Sequence, residues 1–377
     1  MLTTTAYMSE RFNRSNICIL EEMGYEVHVV ANFDRGNPTT REVLDGFKQW
    51  IEEHHGKWIS ISVTKHPTDL SNNGKAYKQL KQLIQEHQYE FIHCHTPVAG
   101  VLGRLVGHRT KTKVIYTAHG FHFFKGAPLL NWLIYYPVER FLSRWTDMLI
   151  TINQEDYNRA KKSFHAKRTE YIPGVGIDIK KFLCGLIDRQ EKRKRLELKD
   201  TDIMLLSVGE LSPRKNHGIV IKAIAQLENK NYKYFICGQG QLKEKYESMI
   251  KEFGLEKQVF LLGYRNDISE LCQAADLYIF PSHQEGLPVA LMEAVACRVP
   301  VICTDIRGNT DLIKNKKCFF SSNDKESLIR CIANVYENGE ISEDFKMTEK
   351  ENYRNLKKYD LANVTKQIKE FYKNFKI

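Results

Sequence analysis

The sequence predicts an α/β protein of two doubly wound parallel sheets, each covered by helices, and three observations carry that expectation. The chain has 377 residues, more than one ordinary hydrophobic core organises. Short β-branched runs alternate with amphipathic helical stretches almost from end to end, the pattern of repeated β-α-β units. The alternation lapses once, after Pro173-Gly174-Val175-Gly176, and then restarts.

In the first half, strands are expected at Val27 to Val30, Trp58 to Val63, Phe91 to Cys94, Lys113 to Thr117, Met148 to Thr151 and Glu170 to Ile172. Helical spacing of apolar residues marks Arg41 to Glu53 and Lys75 to His87 between them. The charged segment Asp188 to Asp200 reads as a solvated connector or a surface helix, and the domain boundary is set beside it. The expected domains are residues 1–185 and 186–360. In the second, strands are expected at Met204 to Val208, Tyr232 to Cys237, Val259 to Leu262, Leu277 to Phe280 and Val299 to Cys303. A final helical region runs from Asp360 to Phe375, and segment 361–377 is expected as a C-terminal helix that can cross back to the first domain.

With 42% hydrophobic and 27% charged residues, the composition excludes a disordered or collagenous chain. No apolar run reaches eighteen residues, so no spanning helix is expected. Met1 to Tyr7 lacks the basic lead and apolar core of a secretory signal, and nine Cys without a C-x-x-C pair suit a reducing compartment. The expected location is cytoplasmic. A net charge of +10 favours partners that carry phosphate, whether nucleotide, nucleic acid or an anionic membrane face. That charge divides into +6 up to Gly185 and +4 thereafter, with no concentrated basic arm for nucleic acid.

In doubly wound sheets ligands bind beyond the carboxyl ends of the strands, so residues there carry most weight. The run from Phe280 to Glu293 takes a strand into the Gly286 turn, with Pro288 at the expected first helical position. Leu287, Pro288 and Val289 thus open a helix whose free amides and positive end suit a phosphate. Glu293, among Ala290, Leu291 and Ala294, is a costly carboxylate unless something hydrogen-bonds it. A ribose diol would do so, and so would a backbone group or an Arg. After the strand ending at Val208, the turn Gly209-Glu210-Leu211-Ser212-Pro213-Arg214-Lys215 carries two adjacent cations, suited to a diphosphate, with a solvated loop as the plainer reading. In the first domain, His119 follows the strand ending at Thr117 and is expected to face the cleft between domains, a structural role being the alternative. The stretch Pro128 to Trp145, aromatic on several sides, reads as a packed helix or as a surface resting on lipid headgroups.

Weaker signals are discounted. Gly238-Gln239-Gly240 lacks the third Gly of a dinucleotide loop. Asp200-Thr201-Asp202 precedes its strand and reads as a solvated connector, and His93-Cys94-His95 puts two His on one side of a strand in a core or edge role. No metal site is expected, and no G-x-S-x-G, Walker loop or H-E-x-x-H occurs.

Glu285 and Glu293 also stand in E-x7-E spacing. Taken in order with Lys215, the Gly209 turn, Gly238-Gln239-Gly240, His119 and Ile172-Pro173-Gly174-Val175-Gly176-Ile177-Asp178, they resemble the retaining glycosyltransferase family 4, of GT-B architecture, over nearly the whole chain. Thr117 to Phe123 with Lys125-Gly126-Ala127-Pro128, and Asp305 to Asp311, resemble the bacterial capsular and exopolysaccharide branch. The resemblance implies a UDP-sugar donor held mainly by the second domain, and an acceptor on the first, with Thr5, Arg11 and His119 on its side. Glu293 would bind the ribose, Lys215 with Arg214 the diphosphate, and Glu285 with the backbone of Gly286 and Leu287 the sugar. Gly209, Gly238, Pro288 and Val289 complete the implied donor set, and His119, Lys215 and Glu285 are its catalytic candidates. It further implies retention of configuration without metal or cofactor, and a growing, polyprenyl-diphosphate-linked glycan as acceptor at the inner membrane face.

The sequence departs from the family pattern twice. Glu210 follows Gly209 where many members carry Arg, which leaves the roles of Glu210 and Arg214 open, and Leu2 to Thr5 is a short first strand that suggests a truncated start. The rival readings are a UDP-sugar 2-epimerase of the same architecture and a basic nucleic-acid-binding protein.

Overall fold

The computed structural model describes residues 1–183, 188–337 and 340–375. It divides into two compact units, Met1–Gly176 with Ala362–Ile377, and Ile177–Leu361. The expected boundary between residues 185 and 186 lies outside the described residues. Among them, no helix is long and apolar enough to cross a membrane.

The first unit is built on seven parallel strands: β1 (Leu2–Thr5), β2 (His28–Asn32), β3 (Lys57–Ser60), β4 (Phe91–His95), β5 (Lys113–Ala118), β6 (Met148–Thr151) and β7 (Arg168–Tyr171), in the order β3-β2-β1-β4-β5-β6-β7. Four residues suffice for β1 because both neighbours grip it: Leu2 is in register with Val30 of β2 and with Cys94 of β4. The third strand ends at Ser60 instead of Val63, where the Asn32 side chain donates to the Val63 carbonyl (3.0 Å) and takes the place of ladder pairing.

Helix Pro97–Thr110 lies so close to the sheet that a Cβ on Gly103 would stand 2.1 Å from the Cys94 sulfur. The next residue, Arg104, is buried, bonded to the Gly100 carbonyl (2.7 Å) and to Glu139 of helix Leu129–Leu142 (2.8 Å), its guanidinium 4.3 Å from the Tyr116 ring centre. A buried Arg needs such partners, and they tie the second helix to the sheet. Helix Leu361–Lys373 also packs here: Tyr372 Oη lies 2.7 Å from His93 Nδ1, and Gln367 donates to the Tyr171 carbonyl (2.8 Å).

The second unit holds six parallel strands: β8 (Ile203–Val208), β9 (Tyr232–Cys237), β10 (Val259–Gly263), β11 (Leu277–Phe280), β12 (Val301–Thr304) and β13 (Phe319–Phe320), in the order β10-β9-β8-β11-β12-β13. The pattern of apolar residues did not announce β13, whose two residues are too few to show a period. Strand β12 starts two residues later than Val299, beyond Pro300, which lacks the donor a ladder needs.

The segment Asp188 to Asp200 is not solvated as a whole. Asp188 caps helix Arg189–Arg195, and two of its cations turn inward. Lys192 pairs with Asp267 and Glu270, each at 2.6 Å, while Arg193 bonds to Asp276 and to the carbonyls of Ala274 and Asp202. Asp202 likewise is buried instead of solvated, accepting from the Lys199 amide (2.8 Å). Three distant acids provide the counter-charge that a sequence window cannot display.

Candidate functional site

Strands β8 and β11 are neighbours, so the loops that leave their carboxyl ends emerge side by side. There Glu285 Oε1 accepts from Lys215 Nζ (2.7 Å) and from Arg214 Nη1 (2.9 Å), and Arg214 donates also to the Gln284 carbonyl (3.1 Å). The backbone locks the two loops together, since the His283 amide donates to the Arg214 carbonyl (2.8 Å). Lys215 is 13% exposed and its ammonium stands 4.8 Å from the Phe280 ring centre. Burial lowers its pKa, and the adjoining Glu285 carboxylate works against that shift. One carboxylate between two cations leaves the cluster net positive, while Glu210, the acid of the same turn, is exposed.

Glycines make this packing possible. Gly238 has φ +153°, and a Cβ there would lie 1.9 Å from the Gly209 carbonyl oxygen; on Gly240 it would lie 2.5 Å from that of Leu211. The Gly238-Gln239-Gly240 run therefore supports the 209–211 turn by close backbone approach. Gly209 itself faces the Lys215 side chain, 3.1 Å from a Cβ position.

Two residues unassigned by the sequence join the cluster. Buried Arg307 donates through Nε to the Glu285 carbonyl (3.2 Å), and Asn216, in left-handed conformation, donates to the carbonyls of Pro281 (3.1 Å) and Ser322 (2.9 Å). Position after a strand was the available signal for both, β12 for Arg307 and β8 for Asn216.

Pro288 was expected at the first helical position but is the N-cap, so helix Val289–Ala296 starts one residue later than expected. Gly286 lies below Gly308, whose added Cβ would meet the Gly286 oxygen at 2.6 Å, and Leu287 is half-buried. Glu293 is half-buried in the second turn of the helix, near enough to Tyr278, Cys272 and Cys297 for its charge to oppose their ionisation. Beneath Lys215, His217 is buried, and burial followed by the lysine's charge lowers its pKa to about 4.

In the first unit, His119 is half-buried just after β5, with Nε2 3.1 Å from His95 Nδ1. Burial lowers its pKa to about 4 and pushes those of His93 and His95 well below the usual imidazole value, so the cluster is neutral at pH 7. The His93 and His95 rings lie 4.1 Å apart on one side of β4, with Cys94 on the other against Gly103. The three acceptor-side candidates do not share one hollow. Thr5 lines a cavity of about 680 Å³ with Asn32, Asp34, Ser60, Asn72 and Lys75, His119 lines a separate small one, and Arg11 is exposed at the end of helix Ala6–Phe12. The larger cavity, rich in hydroxyls and amides, escaped sequence reading because its residues come from separate strand ends.

Residues 188–352 match the family described as Glycosyl transferases group 1, and residues 16–181 the one described as Glycosyltransferase Family 4. EpsD of Bacillus subtilis (strain 168) is 36% identical over 347 residues, 90% of this chain and 87% of that protein. The UDP-Gal:alpha-D-GlcNAc-diphosphoundecaprenol alpha-1,3-galactosyltransferase of Escherichia coli is 30% identical over 279 residues, 71% of each. Among solved structures, Anabaena Alr3699/HepE in complex with UDP and glucose superposes with a TM-score of 0.76 at 20% identity, over 99% of this chain and all of that one. Both halves of the sequence, and two relatives aligned over most of their length, thus agree with the architecture: the chain belongs to glycosyltransferase family 4 and has the GT-B fold.

Proposed function

We propose that the chain is a retaining glycosyltransferase of the cytoplasm that moves a hexose or N-acetylhexosamine from a UDP-sugar to a growing, polyprenyl-diphosphate-linked cell-surface glycan, without a metal. The observation that carries the reading is the pair of cations held on one carboxylate oxygen beyond β8 and β11. A diphosphate offers the same two cations more negative charge than Glu285 does, and exchanges with it at little reorganisation. The E. coli relative's name, with its UDP-Gal donor and diphosphoundecaprenol acceptor, and the UDP bound by the Anabaena protein support the choice of ligands.

In this reading Lys215 and Arg214 take the diphosphate and Glu293 takes the ribose hydroxyls. Glu285, released from the cations, turns with the Gly286 and Leu287 amides to the sugar. As the bond from sugar C1 to the phosphate oxygen breaks, negative charge grows on the leaving UDP, where the two cations stabilise it more than in the ground state. The acceptor hydroxyl bonds to C1 on the same face and its proton passes to the leaving phosphate. His119 serves the acceptor side as a neutral imidazole.

The test is turnover of UDP-sugars with a polyprenyl-diphosphate-linked acceptor, followed by UDP release and by the anomeric configuration of the product. The expected outcome is a retained glycosidic product at a rate that EDTA does not change. An inverted product or loss of rate in EDTA would reject the mechanism, and a sugar epimerised while still on UDP would make the chain an epimerase. Retention of RNA or DNA in a filter-binding assay at physiological salt would favour the nucleic-acid reading.

A further inference from the structure

Helix Leu129–Leu142 is apolar on both sides. At about 100° per residue, Trp132, Tyr135, Tyr136, Glu139 and Leu142 share one half of its circumference, where the aromatic rings pack on the first unit's core and Glu139 meets Arg104. Leu129, Leu130, Leu133, Ile134, Val138 and Phe141 share the other half and are exposed, Leu129 by 80% and Leu133 by 75%. A surface helix of a globular protein ordinarily turns charge outward. Here the outward half carries a single charge, Arg140 at its margin. Six large apolar side chains form a stripe about 20 Å long, a patch of the kind that marks an interaction surface.

The stretch of chain that carries this stripe is basic. Residues 101–168 contain twelve Lys and Arg against four Asp and Glu, which the nearly even split between the two halves of the sequence conceals. The acids are engaged: Glu139 with Arg104, Asp147 with Lys167, Glu155 with Arg159, and buried Asp156 with the Phe121 amide and Asn153. The exposed cations Lys125, Arg140, Arg144, Lys161 and Lys162 border the helix. Arg140 donates to the Ser163 carbonyl (3.1 Å), beside Lys161 and Lys162, and the Arg144 guanidinium lies 5.5 Å from the Phe141 ring centre.

We infer that this side of the helix seats on a bilayer containing anionic lipids, the leucines and Phe141 entering the acyl boundary while the surrounding cations meet lipid phosphates. The outward half is convex and bears no hydrogen-bonding side chain other than Arg140, which suits disordered hydrocarbon better than the directional polar contacts of a protein partner. A second copy seated across a two-fold axis would bring two positive rims together. The inference deepens the proposed function by naming the surface that meets a lipid-borne acceptor's membrane, and its test uses neither donor nor acceptor, so either can fail without the other.

The full chain is floated with vesicles of phosphatidylcholine alone and of phosphatidylcholine with phosphatidylglycerol, at low and high salt. The expected result is co-flotation with the anionic vesicles that high salt weakens. Replacing Leu129, Leu133 and Phe141 by Ser lowers the partition at least tenfold, and each of Arg140→Glu and Arg144→Glu lowers it about fivefold or more. The Ser variant keeps the wild-type melting temperature and the wild-type far-UV and near-UV circular dichroism, which report an intact fold. Three results would overturn the inference: wild-type protein that stays in the aqueous phase, a Ser variant that floats as well as wild type, or light scattering that finds a dimer abolished by the same substitutions.

Discussion

At the carboxyl edge of β8 and β11, one carboxylate and two cations meet within 2.9 Å, whereas at the carboxyl edge of β4 and β5 two imidazoles meet at 3.1 Å and burial holds both neutral. The two sheets share a parallel topology, so the contrast comes from the loops. In the second unit Lys215 and Glu285 are largely withdrawn from water and paired, with Arg214 partly exposed beside them. The first unit keeps a buried pair, Arg104 with Glu139, in the helix layer, and lines the cavity at its edge with hydroxyl and amide groups interspersed with Asp34, Arg35, Lys65, Asp69 and Lys75. One edge concentrates a paired charge cluster, and the other spreads hydroxyl, amide and charged side chains around an open cavity.

The sharpest way to separate structural from functional charge is to remove one of each. Glu139→Ala leaves Arg104 buried without its counter-ion and is expected to cost about 3–5 kcal/mol, read as a fall in the denaturant midpoint, with UDP affinity of the folded protein unchanged. A loss below about 1 kcal/mol would mean that the Gly100 carbonyl and the Tyr116 ring already satisfy the guanidinium. Lys215→Ala is expected to do the reverse, lowering kcat for UDP release about 10²–10³-fold with little change in melting temperature, because Glu285 keeps Arg214. A large loss of stability with full activity would break the comparison by making that pair structural.

Acid should act more on the first unit than on the second. His93, His95 and His119 in the first unit, and His217 in the second, have folded pKa values below the unfolded value near 6.5, so between there and about 4 the unfolded chain binds protons that the native chain does not. Stability is therefore full above pH 6.5 and falls as the pH drops towards 4. Hydrogen exchange at pH 5 is expected to show β4 and β5 losing protection before β8 and β11, and simultaneous loss would remove the asymmetry. The smallest effect is expected at Gly36, where φ is +74° but the nearest side-chain atom stands 3.8 Å from an added Cβ. Gly36→Ala should cost about 1–2 kcal/mol in a urea titration and leave the KM for the donor unchanged.

Much of this arrangement was legible before any coordinates. Helix Arg41–Glu53 has both ends where the spacing of Leu44, Phe47 and Ile51 put them, and β6, β9 and β11 begin and end as expected. Lys215 and Arg214 stood out by their position after a strand and Glu285 by its E-x7-E spacing with Glu293 and the resemblance it carries, and the structure brings the three together. The burial of Lys192 and Arg193 was not legible, since a run of seven polar residues looks solvated until Asp267, Glu270 and Asp276 are placed beside it. Nor was the outward side of helix Leu129–Leu142, because a segment apolar all round does not tell a periodicity argument which half is covered.

By itself the sequence determined the alternation of strands and helices, the turns after β5, β8 and β11, and the family, because those depend on local spacing and on short ordered motifs. Which charges meet was decided by tertiary structure alone: Glu285 lies 70 residues from Lys215, Lys192 75 from Asp267, and Arg104 35 from Glu139. Burial turns on which side chains the folded chain brings within a few ångströms, and no local pattern of residues encodes that distance.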